Sequence, residues 1–389
     1  MRTAGFIVCL LGQSLLAAEL SSVPAGQGRV TLARQSGATG RATNAQGLSV
    51  SSVSVNAQSF NPSKAGKVTL QYQLSRDARV TVKVFDPDRR LVRTLADAAA
   101  RRAGVPSEVW DGRDLDGRVV PNESYFFTIE ATDSTGAQIV YDPITFSGGE
   151  FADVTQGALN RDSGTLTYML SQPSRVLLRA GMATGLLLKT VVDWEPRPSG
   201  AINEYWDGKD ADGLFDVPTM KGTTMVLTYM TLPATSVIAF GNDSLSYRTY
   251  SSSFAQKRPL KTERPMTGGR RISPHFLKNR ATDRSFKVNI VFPDLDKGGG
   301  TASIPTIKDG ALFRLAVADQ DQDVLAGQQY ELMMHVNTLF LVEEERGYLP
   351  FTSQLEVKAL PAGEHIFTVN IITFGDQIGV GSRKIRVVK

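Results

Sequence analysis

Acidic residues cluster in two short segments whose spacing invites a test for metal binding. Both segments read Trp-Asp-Gly-x-Asp-x-Asp-Gly, and their aspartates are Asp111, Asp114, Asp116, Asp207, Asp210 and Asp212. Calcium loops place oxygen ligands at alternate positions, with a glycine at the sixth position and a bidentate glutamate at the twelfth. Here the spacing is three and then two, and no glutamate stands at the twelfth position. Because aspartate and glycine also favour tight turns, the pattern predicts turns rather than metal sites.

Asp319, Asp321 and Asp323 form a third acidic segment, in which the carboxylates alternate as a calcium loop requires. Val324 stands where the loop needs glycine, and Tyr330 stands where it needs glutamate. A solvated acidic turn is therefore the favoured interpretation, and calcium binding by these three aspartates is the alternative.

The residue types that carry catalysis are scarce or scattered. The histidines, His275, His335 and His365, form no metal-binding pair, and the single cysteine, Cys9, lies in an apolar N-terminal stretch. The chain contains no GxSxG motif, phosphate-binding loop or dinucleotide fingerprint. Paired carboxylates for glycoside cleavage stay open as an alternative, but no pattern points to them. The sequence therefore predicts neither an enzyme nor a cofactor.

The elements that position these residues repeat along the chain. Residues 66–117 and 162–213 match without a gap at 19 of 52 positions, with an offset of 96. A unit of this length fits one β-sandwich domain and is too long for a solenoid repeat. In the first copy, apolar and polar residues alternate from Val68 to Leu74 and from Val80 to Val84, which is typical of half-buried strands. We therefore predict an all-β fold of tandem immunoglobulin-like β-sandwiches joined by linkers.

Apolar and aromatic residues at equivalent positions of the two copies are expected to form the sandwich cores. They are Tyr72, Leu74, Trp110, Tyr168, Leu170 and Trp206. Each tryptophan stands at the end of a strand and directly before an Asp-Gly turn, which favours a buried position. The alternative role for Trp110 and Trp206 is the stacking of sugar rings on an exposed sandwich face.

Several motifs of the first copy resemble one bacterial domain family. They are Phe60-Asn61-Pro62, Tyr72-Gln73-Leu74-Ser75, VTVKVFD, LVRTL, WDGRDLDGRVVP and Tyr125. Together they resemble the FlgD-type immunoglobulin-like repeat, which is named from the flagellar hook-capping protein and is widespread on secreted bacterial proteins. The resemblance is strong over residues 49–145 and weaker over 150–243, where LTYMLSQPSRV and YWDGKDADG carry it. It implies the sandwich fold and says little about activity.

These patterns divide the chain into domains and connecting segments. We predict a signal peptide over 1–25, a flexible leader over 26–48, two FlgD-like domains over 49–145 and 146–243, a basic linker over 244–284, and a third immunoglobulin-like domain over 285–389. The third domain ends with LPAGEH followed by FTVN, a segment that looks like the last hairpin of a bacterial immunoglobulin-like domain.

The N-terminus has the features of a secretory signal. Arg2 supplies a positive charge, residues 4–16 are mostly apolar, and cleavage is expected after Ala18 or Ala25. A membrane anchor is the alternative, but a Gly-Gln-Ser segment at 12–14 interrupts the apolar run. No later run approaches the roughly 20 apolar residues that span a bilayer, so we expect no transmembrane segment in the mature chain. Export to the periplasm, the cell surface or the extracellular space is therefore predicted.

The segment from Lys257 to Lys287 holds ten lysines or arginines and two acidic residues, whereas the whole chain carries a net charge of only +4. Its three prolines and its Gly-Gly pair disfavour a packed element. A soluble spacer is the favoured interpretation. The alternative is electrostatic contact with an anionic surface through cations that include Arg270, Arg271, Lys278 and Arg280.

These observations predict a secreted, non-catalytic protein with a structural, adhesive or scaffolding role in the cell envelope or the extracellular space. Its expected partner is another protein or a cell-surface polymer, and no feature points to nucleic acid. A carbohydrate- or polymer-binding accessory role is one alternative. Assembly of the flagellar hook is another, but the signal peptide argues against it, because hook-capping proteins leave through the flagellar export channel without one.

Overall fold

Strands dominate the chain because apolar residues recur at every second position over much of its length. The computed structural model describes residues 18–20, 42–43, 47–150, 158–160, 162–257, 285–296, 303–318, 325, 329–373 and 377–389. The sheets fall into separate groups, each with its own buried cluster, so the predicted all-β, multidomain fold is confirmed.

The strands are numbered in chain order. The first ten are β1 (Ala18–Leu20), β2 (Ala42–Thr43), β3 (Ser49–Val55), β4 (Ser59–Phe60), β5 (Val68–Leu74), β6 (Ala78–Phe85), β7 (Leu91–Arg101), β8 (Ser107–Trp110), β9 (Glu123–Asp133) and β10 (Gln138–Tyr141). The next seven are β11 (Ala158–Asn160), β12 (Thr165–Leu170), β13 (Ser174–Met182), β14 (Leu187–Arg197), β15 (Gly200–Tyr205), β16 (Thr223–Thr231) and β17 (Val237–Ala239).

Helix α1 (Tyr247–Lys257) follows β17. The last eight strands are β18 (Phe286–Val291), β19 (Thr306–Ile307), β20 (Ala311–Val317), β21 (Tyr330–Val336), β22 (Leu339–Gly347), β23 (Phe351–Leu355), β24 (Gly363–Thr373) and β25 (Ile378–Val387). Short 3-10 helices lie at Pro62–Lys64, Pro143–Thr145 and Val217–Thr219.

The first sandwich is built from two sheets that share one core. One sheet has the order β4-β17-β9-β6-β7 with β10 beside β9, and the other has the order β2-β3-β5-β8. In β5, Val68, Leu70, Tyr72 and Leu74 are fully buried, as their alternation with polar residues predicts. Burial of such side chains removes about 25 cal/mol of unfavourable hydration per Å² of apolar surface, so this core is the main stabilising contribution.

The second sandwich repeats this plan with its own core. One sheet has the order β1-β16-β13-β14 and the other has the order β11-β12-β15. The core includes Tyr168, Leu170 and Trp206, which occupy the positions of Tyr72, Leu74 and Trp110 in the repeat.

The third sandwich has a single hydrogen-bonded path, β22-β21-β24-β25-β18-β20-β23, with β19 beside β25. Its strands enclose one buried cluster that includes Phe313, Leu332 and Phe367. The ring of Phe313 stands edge-on to the ring of Phe367, with 5.2 Å between the centroids. Strand β22 ends this path and pairs with β21 alone.

The chain returns to the first sandwich after it completes the second. Strand β17 pairs in antiparallel fashion with residues 123–125 of β9 and in parallel fashion with β4. The predicted boundary, which placed residues 146–243 in one domain, is therefore wrong at its C-terminal end. The reason is physical: a run of three buried apolar residues predicts a strand, but it does not specify which of two similar sheets the strand joins.

Helix α1 corrects a second prediction, because the basic linker was expected to begin at residue 244. Tyr247 and Tyr250 are buried, and their hydroxyls bond to carboxylates of the first sandwich. Residues 258–284, which carry Arg270, Arg271, Lys278 and Arg280, lie outside the described residues, as does most of the predicted signal peptide and leader. Within the described part of the chain, no helix is long and apolar enough to cross a membrane.

Trp110 lies at the centre of the first core and gives a direct test of the packing. Its ring is 5.4 Å from that of Phe60 and 5.1 Å from that of Tyr125, and its indole N–H donates to the carbonyl of Arg113 at 3.0 Å. We expect Trp110→Ala to lower the free energy of unfolding by about 3–5 kcal/mol, the usual range for a core tryptophan.

The measurement is chemical denaturation of the full chain. Unfolding is monitored by far-ultraviolet circular dichroism, because this signal does not depend on tryptophan fluorescence. Val109→Ala is the matched control, because this neighbour is 54% exposed and its truncation should change the stability by about 0.5 kcal/mol or less. Equal effects of the two substitutions would contradict the core role.

Candidate functional site

The acidic turns of the two repeats are organised by hydrogen bonds from within the turn. Asp114 is completely buried, and its Oδ1 accepts the backbone N–H groups of Asp116 and Arg118 at 2.9 Å. Asp210 is equally buried and accepts the N–H groups of Leu214 and Phe215. These carboxylates therefore hold the backbone of each turn, as the predicted turn role requires.

A glycine in the first turn explains why two separate motifs of the sequence occur together. Gly112 has a φ of +71°, and a Cβ atom there would lie 2.4 Å from the Cβ of Pro62. The Trp-Asp-Gly turn therefore packs against the Phe60-Asn61-Pro62 segment, and only a residue without a side chain fits.

The structure gives no support for a metal centre in the described part of the chain. Within those residues, no group of three or more histidine, cysteine, aspartate or glutamate side chains is arranged to hold an ion. Asp319, Asp321 and Asp323 lie outside the described residues, so their calcium hypothesis stays a prediction.

The six residues predicted to form the cores are all in the interior. The least buried of them, Trp206, is only 3% exposed, and Trp110 is 1% exposed. Each indole N–H donates to the carbonyl three residues later, that of Arg113 in the first sandwich and that of Lys209 in the second. Neither ring presents a free face on which a sugar could stack.

The histidines of the third sandwich are also buried within its structure. Burial lowers the pKa of His335 to about 4, and its ring stands edge-on to Phe340 with 5.6 Å between the centroids. The ring of His365 contacts the carbonyl of Pro361 at 2.9 Å and the amide of Asn337 at 3.1 Å. His275 lies outside the described residues.

An equivalent tyrosine–glutamate–arginine cluster occurs in both sandwiches. In the first, Arg101 Nε donates to Glu108 Oε1 at 2.9 Å, and the hydroxyl of Tyr72 lies 3.5 Å from the same oxygen. Burial, together with the negative charge of Glu108, raises the pKa of Tyr72 to about 12.

The second cluster uses the residues at the same repeat positions, Tyr168, Glu204 and Arg197. The tyrosine hydroxyl donates to Glu204 Oε1 at 2.9 Å, and Arg197 Nε donates to the same oxygen at 2.6 Å. These clusters were not among the predicted sites, although the arginines and the glutamates are among the matching positions of the repeat. The matching arginines and glutamates could have indicated the clusters, but only the tyrosines were interpreted, and they were predicted to be core residues.

One buried ion pair joins the first sandwich to the second. Arg175 Nη2 donates to Glu123 Oε1 at 2.6 Å, and Arg175 Nη1 donates to Glu123 Oε2 at 3.2 Å. The guanidinium also donates to the carbonyl of Trp194 at 2.9 Å and to the hydroxyl of Ser124 at 3.1 Å. The glutamate side chain is completely buried and the arginine side chain is 8% exposed. This bidentate geometry offsets the desolvation of both charges.

Helix α1 is held on the first sandwich by two tyrosines that reach separate carboxylates. The hydroxyl of Tyr247 lies 3.0 Å from Asp86 Oδ2 and 3.1 Å from Asp88 Oδ2. The hydroxyl of Tyr250 lies 3.4 Å from Asp114 Oδ2, and its ring lies under the guanidinium of Arg118 at 5.8 Å. The acidic turn that the sequence offered as a calcium candidate therefore receives a helix.

Asp86 has an unusual ionisation because of this arrangement. Burial raises its pKa from the ordinary 3.8 to about 7, and the charge of Asp88 acts in the same direction. The Tyr247 hydroxyl has one hydrogen and two carboxylate neighbours, so it can donate to only one of them. The two carboxylates therefore compete for the single hydroxyl hydrogen of Tyr247.

The second acidic turn receives the third sandwich. Asp212 Oδ1 lies 2.6 Å from Lys287 Nζ, and Asp212 Oδ2 accepts the backbone N–H of Ser382 at 2.7 Å. Asn370 donates to the carbonyl of Leu187 and accepts its N–H, both at 2.9 Å. The turns of the two repeats thus have corresponding roles. The first turn contacts helix α1, and the second turn contacts the third sandwich.

A polar cleft opens between helix α1 and the two sandwiches. Its volume is about 800 Å³. The lining includes Asn122, Asp193, Glu195, Asn242 and Asp243, together with Arg248 of the helix.

Comparison with known proteins identifies part of the first sandwich. A family model described as the FlgD Ig-like domain matches residues 56–135. The basal-body rod modification proteins FlgD of Salmonella typhimurium (strain LT2) and Salmonella typhi are each 39% identical over 88 residues, which is 23% of this chain and 34% of theirs. The chain thus spans about a third of the length of these relatives. The expected resemblance holds for the first sandwich, while a second family copy and an immunoglobulin-like third domain stay predictions.

Solved structures to which this chain is similar include FlgD from P. aeruginosa, at 18% identity over 37% of this chain and 93% of that one, with a TM-score of 0.20. The fibronectin(III)-like modules of Clostridium thermocellum CbhA are 9% identical over 86% of this chain and 93% of theirs, with a TM-score of 0.18. A tetra-tandem repeat from the extending region of a large adhesion protein is 11% identical over 86% of this chain and 73% of that one, also with a TM-score of 0.18.

We expect Arg175→Met to lower the free energy of unfolding by about 3–5 kcal/mol, because it leaves Glu123 buried without its cation. Chemical denaturation of the full chain measures the change. Arg79→Met is the matched control, since Arg79 occupies the same repeat position but is exposed on β6, and its removal should cost about 0.5 kcal/mol or less. A double substitution, Arg175→Met with Glu123→Met, should recover most of the loss. A loss in the double variant as large as in the single one would contradict the assignment.

We expect the Asp86 carboxyl to contribute stability that is lost as the pH rises from about 4 to about 8, whereas His335, whose pKa is lowered from 6.5 to about 4, contributes in the opposite direction below about pH 6.5. The folded state holds a proton on Asp86 up to a pKa of about 7, whereas the unfolded chain releases it near 3.8, so the folded state binds the extra proton in this interval. Asp86→Asn removes the first of these titrations, so its melting temperature should rise more, or fall less, than that of the parent as the pH increases over this interval. Asp111→Asn, at a half-exposed turn position, should leave the slope unchanged. An unaltered slope in Asp86→Asn would show that another group is responsible.

Proposed function

We propose that this protein is an exported, non-catalytic scaffold of the cell envelope or the extracellular space. The observation that carries the proposal is the use of both acidic turns as docking points within the chain. Asp114 of the first turn receives helix α1, and Asp212 of the second turn receives the third sandwich. Residues whose types could bind ions or do chemistry are engaged in joining domains, which is the arrangement a scaffold needs.

The buried pair between Glu123 and Arg175 supports the same role. Flexible tethering would need only a linker, whereas this interface contains a desolvated bidentate ion pair with further hydrogen bonds to Trp194 and Ser124. Such an interface sets the relative orientation of the first two sandwiches, because small displacements would leave buried charge unpaired. A fixed orientation lets surfaces on different domains act together on a partner.

Export rests on the predicted signal peptide, and the proposed partner is another protein or a cell-surface polymer. Contact with an anionic surface would use the cations of the basic segment, including Arg270, Arg271, Lys278 and Arg280. Assembly at the flagellar basal body, which the names of the Salmonella relatives suggest, is less favoured. The chain spans about a third of those proteins, and the predicted signal peptide implies another export route.

The test is to express the full chain with a C-terminal tag in a bacterial host and to analyse the fractionated cells. We expect an intact mass that begins at Glu19 or Gly26, and retention of the product on the cell envelope that decreases as salt is raised, because added ions screen the charges. Reversal of Arg270, Arg271, Lys278 and Arg280 to glutamate should release most of the product.

The matched control reverses four exposed cations elsewhere, namely Lys64, Lys67, Arg102 and Lys308, and so changes the net charge equally. This control should be retained like the parent chain. A mass that retains Met1 would contradict export. Equal retention of both variants would contradict surface contact through the basic segment.

A further inference from the structure

Strand β22 differs from its neighbours in the third sandwich because most of its side chains are exposed, and only Leu341 packs partly against the core. None of the eight residues from Leu339 to Arg346 is buried, whereas the adjacent strand β21 buries Tyr330, Leu332 and Met334. Strand β22 also stands at the end of the sheet and pairs on one side only. Its outer edge therefore presents backbone N–H and C=O groups that can bond to another strand.

The side chains of β22 divide into an apolar half and an acidic half. Leu339 is 63% exposed, Phe340 48% and Val342 49%, which is unusual for a run of large apolar residues on a surface. Glu343, Glu344 and Glu345 follow directly and are exposed. Within the described residues, none of these three carboxylates lies within ion-pair distance of a lysine or an arginine.

The negative charge of the acidic half of β22 affects the pKa of a residue on the neighbouring strand. Glu331 lies on β21, and its pKa is raised by burial and by the charges of Glu343 and Glu345. An approaching cation would relieve this repulsion. The edge opposite, at β23, offers no comparable surface, since its exposed side chains are those of Thr352 and Gln354 and Pro350 precedes it.

We propose that β22 is a docking strand for an extended segment of a partner protein that carries apolar residues beside lysines or arginines. The segment would add to the sheet edge by backbone hydrogen bonds, a known mode of peptide recognition. Its apolar residues would cover Leu339, Phe340 and Val342, and its cations would pair with the three glutamates. The proposal deepens the scaffold role, on which it rests, by naming the chemistry of the partner.

Charge distinguishes this partner from a second copy of the chain. Antiparallel pairing of two β22 strands would bring the three glutamates of one copy against the same glutamates or against the apolar half of the other. The first arrangement places like charges together, and the second buries carboxylates against apolar side chains. Both are unfavourable. The bulges in the pairing with β21, on either side of the segment from Val342 to Glu344, also limit the regular stretch to a few residues.

The test measures binding of a short fluorescent peptide to the full chain by anisotropy. The probe alternates valine with threonine in one half and lysine with threonine in the other, and a second peptide replaces each lysine with glutamate. We expect the lysine peptide to bind saturably and at least about tenfold more tightly than the glutamate peptide, because three exposed ion pairs together contribute on the order of a tenfold change. Hydrogen exchange should slow at residues 339–346 when the lysine peptide binds.

The triple variant Glu343→Gln, Glu344→Gln and Glu345→Gln should lose most of this affinity, while Glu356→Gln, at an exposed position of the same sandwich, should not. Equal binding of both peptides, or slowed exchange elsewhere on the chain, would overturn the proposal. Self-association of the parent that the triple variant abolishes or strengthens would assign the edge to a second copy and would equally overturn it. The assay does not depend on export, so its failure leaves the scaffold proposal to be judged by its own test.

Discussion

The buried ion pair between Arg175 and Glu123 is the constraint on which the arrangement of the first two sandwiches depends. Two charges removed from water must satisfy each other almost completely, and here both terminal nitrogens of the Arg175 guanidinium, Nη1 and Nη2, donate to an oxygen of Glu123. Glu123 begins β9, which pairs with β17, while Arg175 is the second residue of β13, a strand that lies between β16 and β14 in the second sandwich. The ion pair therefore acts near the N-terminal ends of two inner strands, where a shift would disturb both cores.

The same part of the molecule gathers the other polar contacts of interest. Tyr125 follows Glu123 by two residues, and burial together with the nearby Tyr250 and Glu123 raises its pKa well above the usual value. Asp86, Asp114 and the tyrosines of α1 continue this buried polar region toward the helix. Buried polar groups are tolerated only when they are hydrogen-bonded, so helix, turn and strand become mutually dependent. Groups with strongly perturbed ionisation can thus have a structural role in this buried region.

Local patterns in the sequence predicted much of this fold, and non-local contacts account for what they missed. The alternation around Tyr72 and the repeat that matches Trp110 with Trp206 are properties of neighbouring residues, and they indicated strands, cores and turns. Arg79 and Arg175 also match in the repeat, yet one is exposed and the other buried, because only the second faces another domain. Helix α1 has a weak apolar pattern of its own, and its stability comes from carboxylates more than 130 residues earlier in the chain. Such partners cannot be identified from residue spacing.

The return of the chain at β17 has a consequence for the order of folding. Strand β17 lies between β4 and β9 in the finished sheet, so the first sandwich stays incomplete until residues 237–239 have left the ribosome, although its other strands are made some hundred residues earlier. Two chain segments connect the sandwiches, one leaving the first and one returning to it, and they lie side by side. The backbone N–H of Gly149 donates to the carbonyl of Thr231, and the N–H of Thr231 donates to the carbonyl of Glu150, both at 2.8 Å. The second sandwich therefore begins and ends at adjacent residues. It can form before the first sandwich is complete. A nascent chain with this connectivity completes its N-terminal sandwich only after residue 239 has been synthesised.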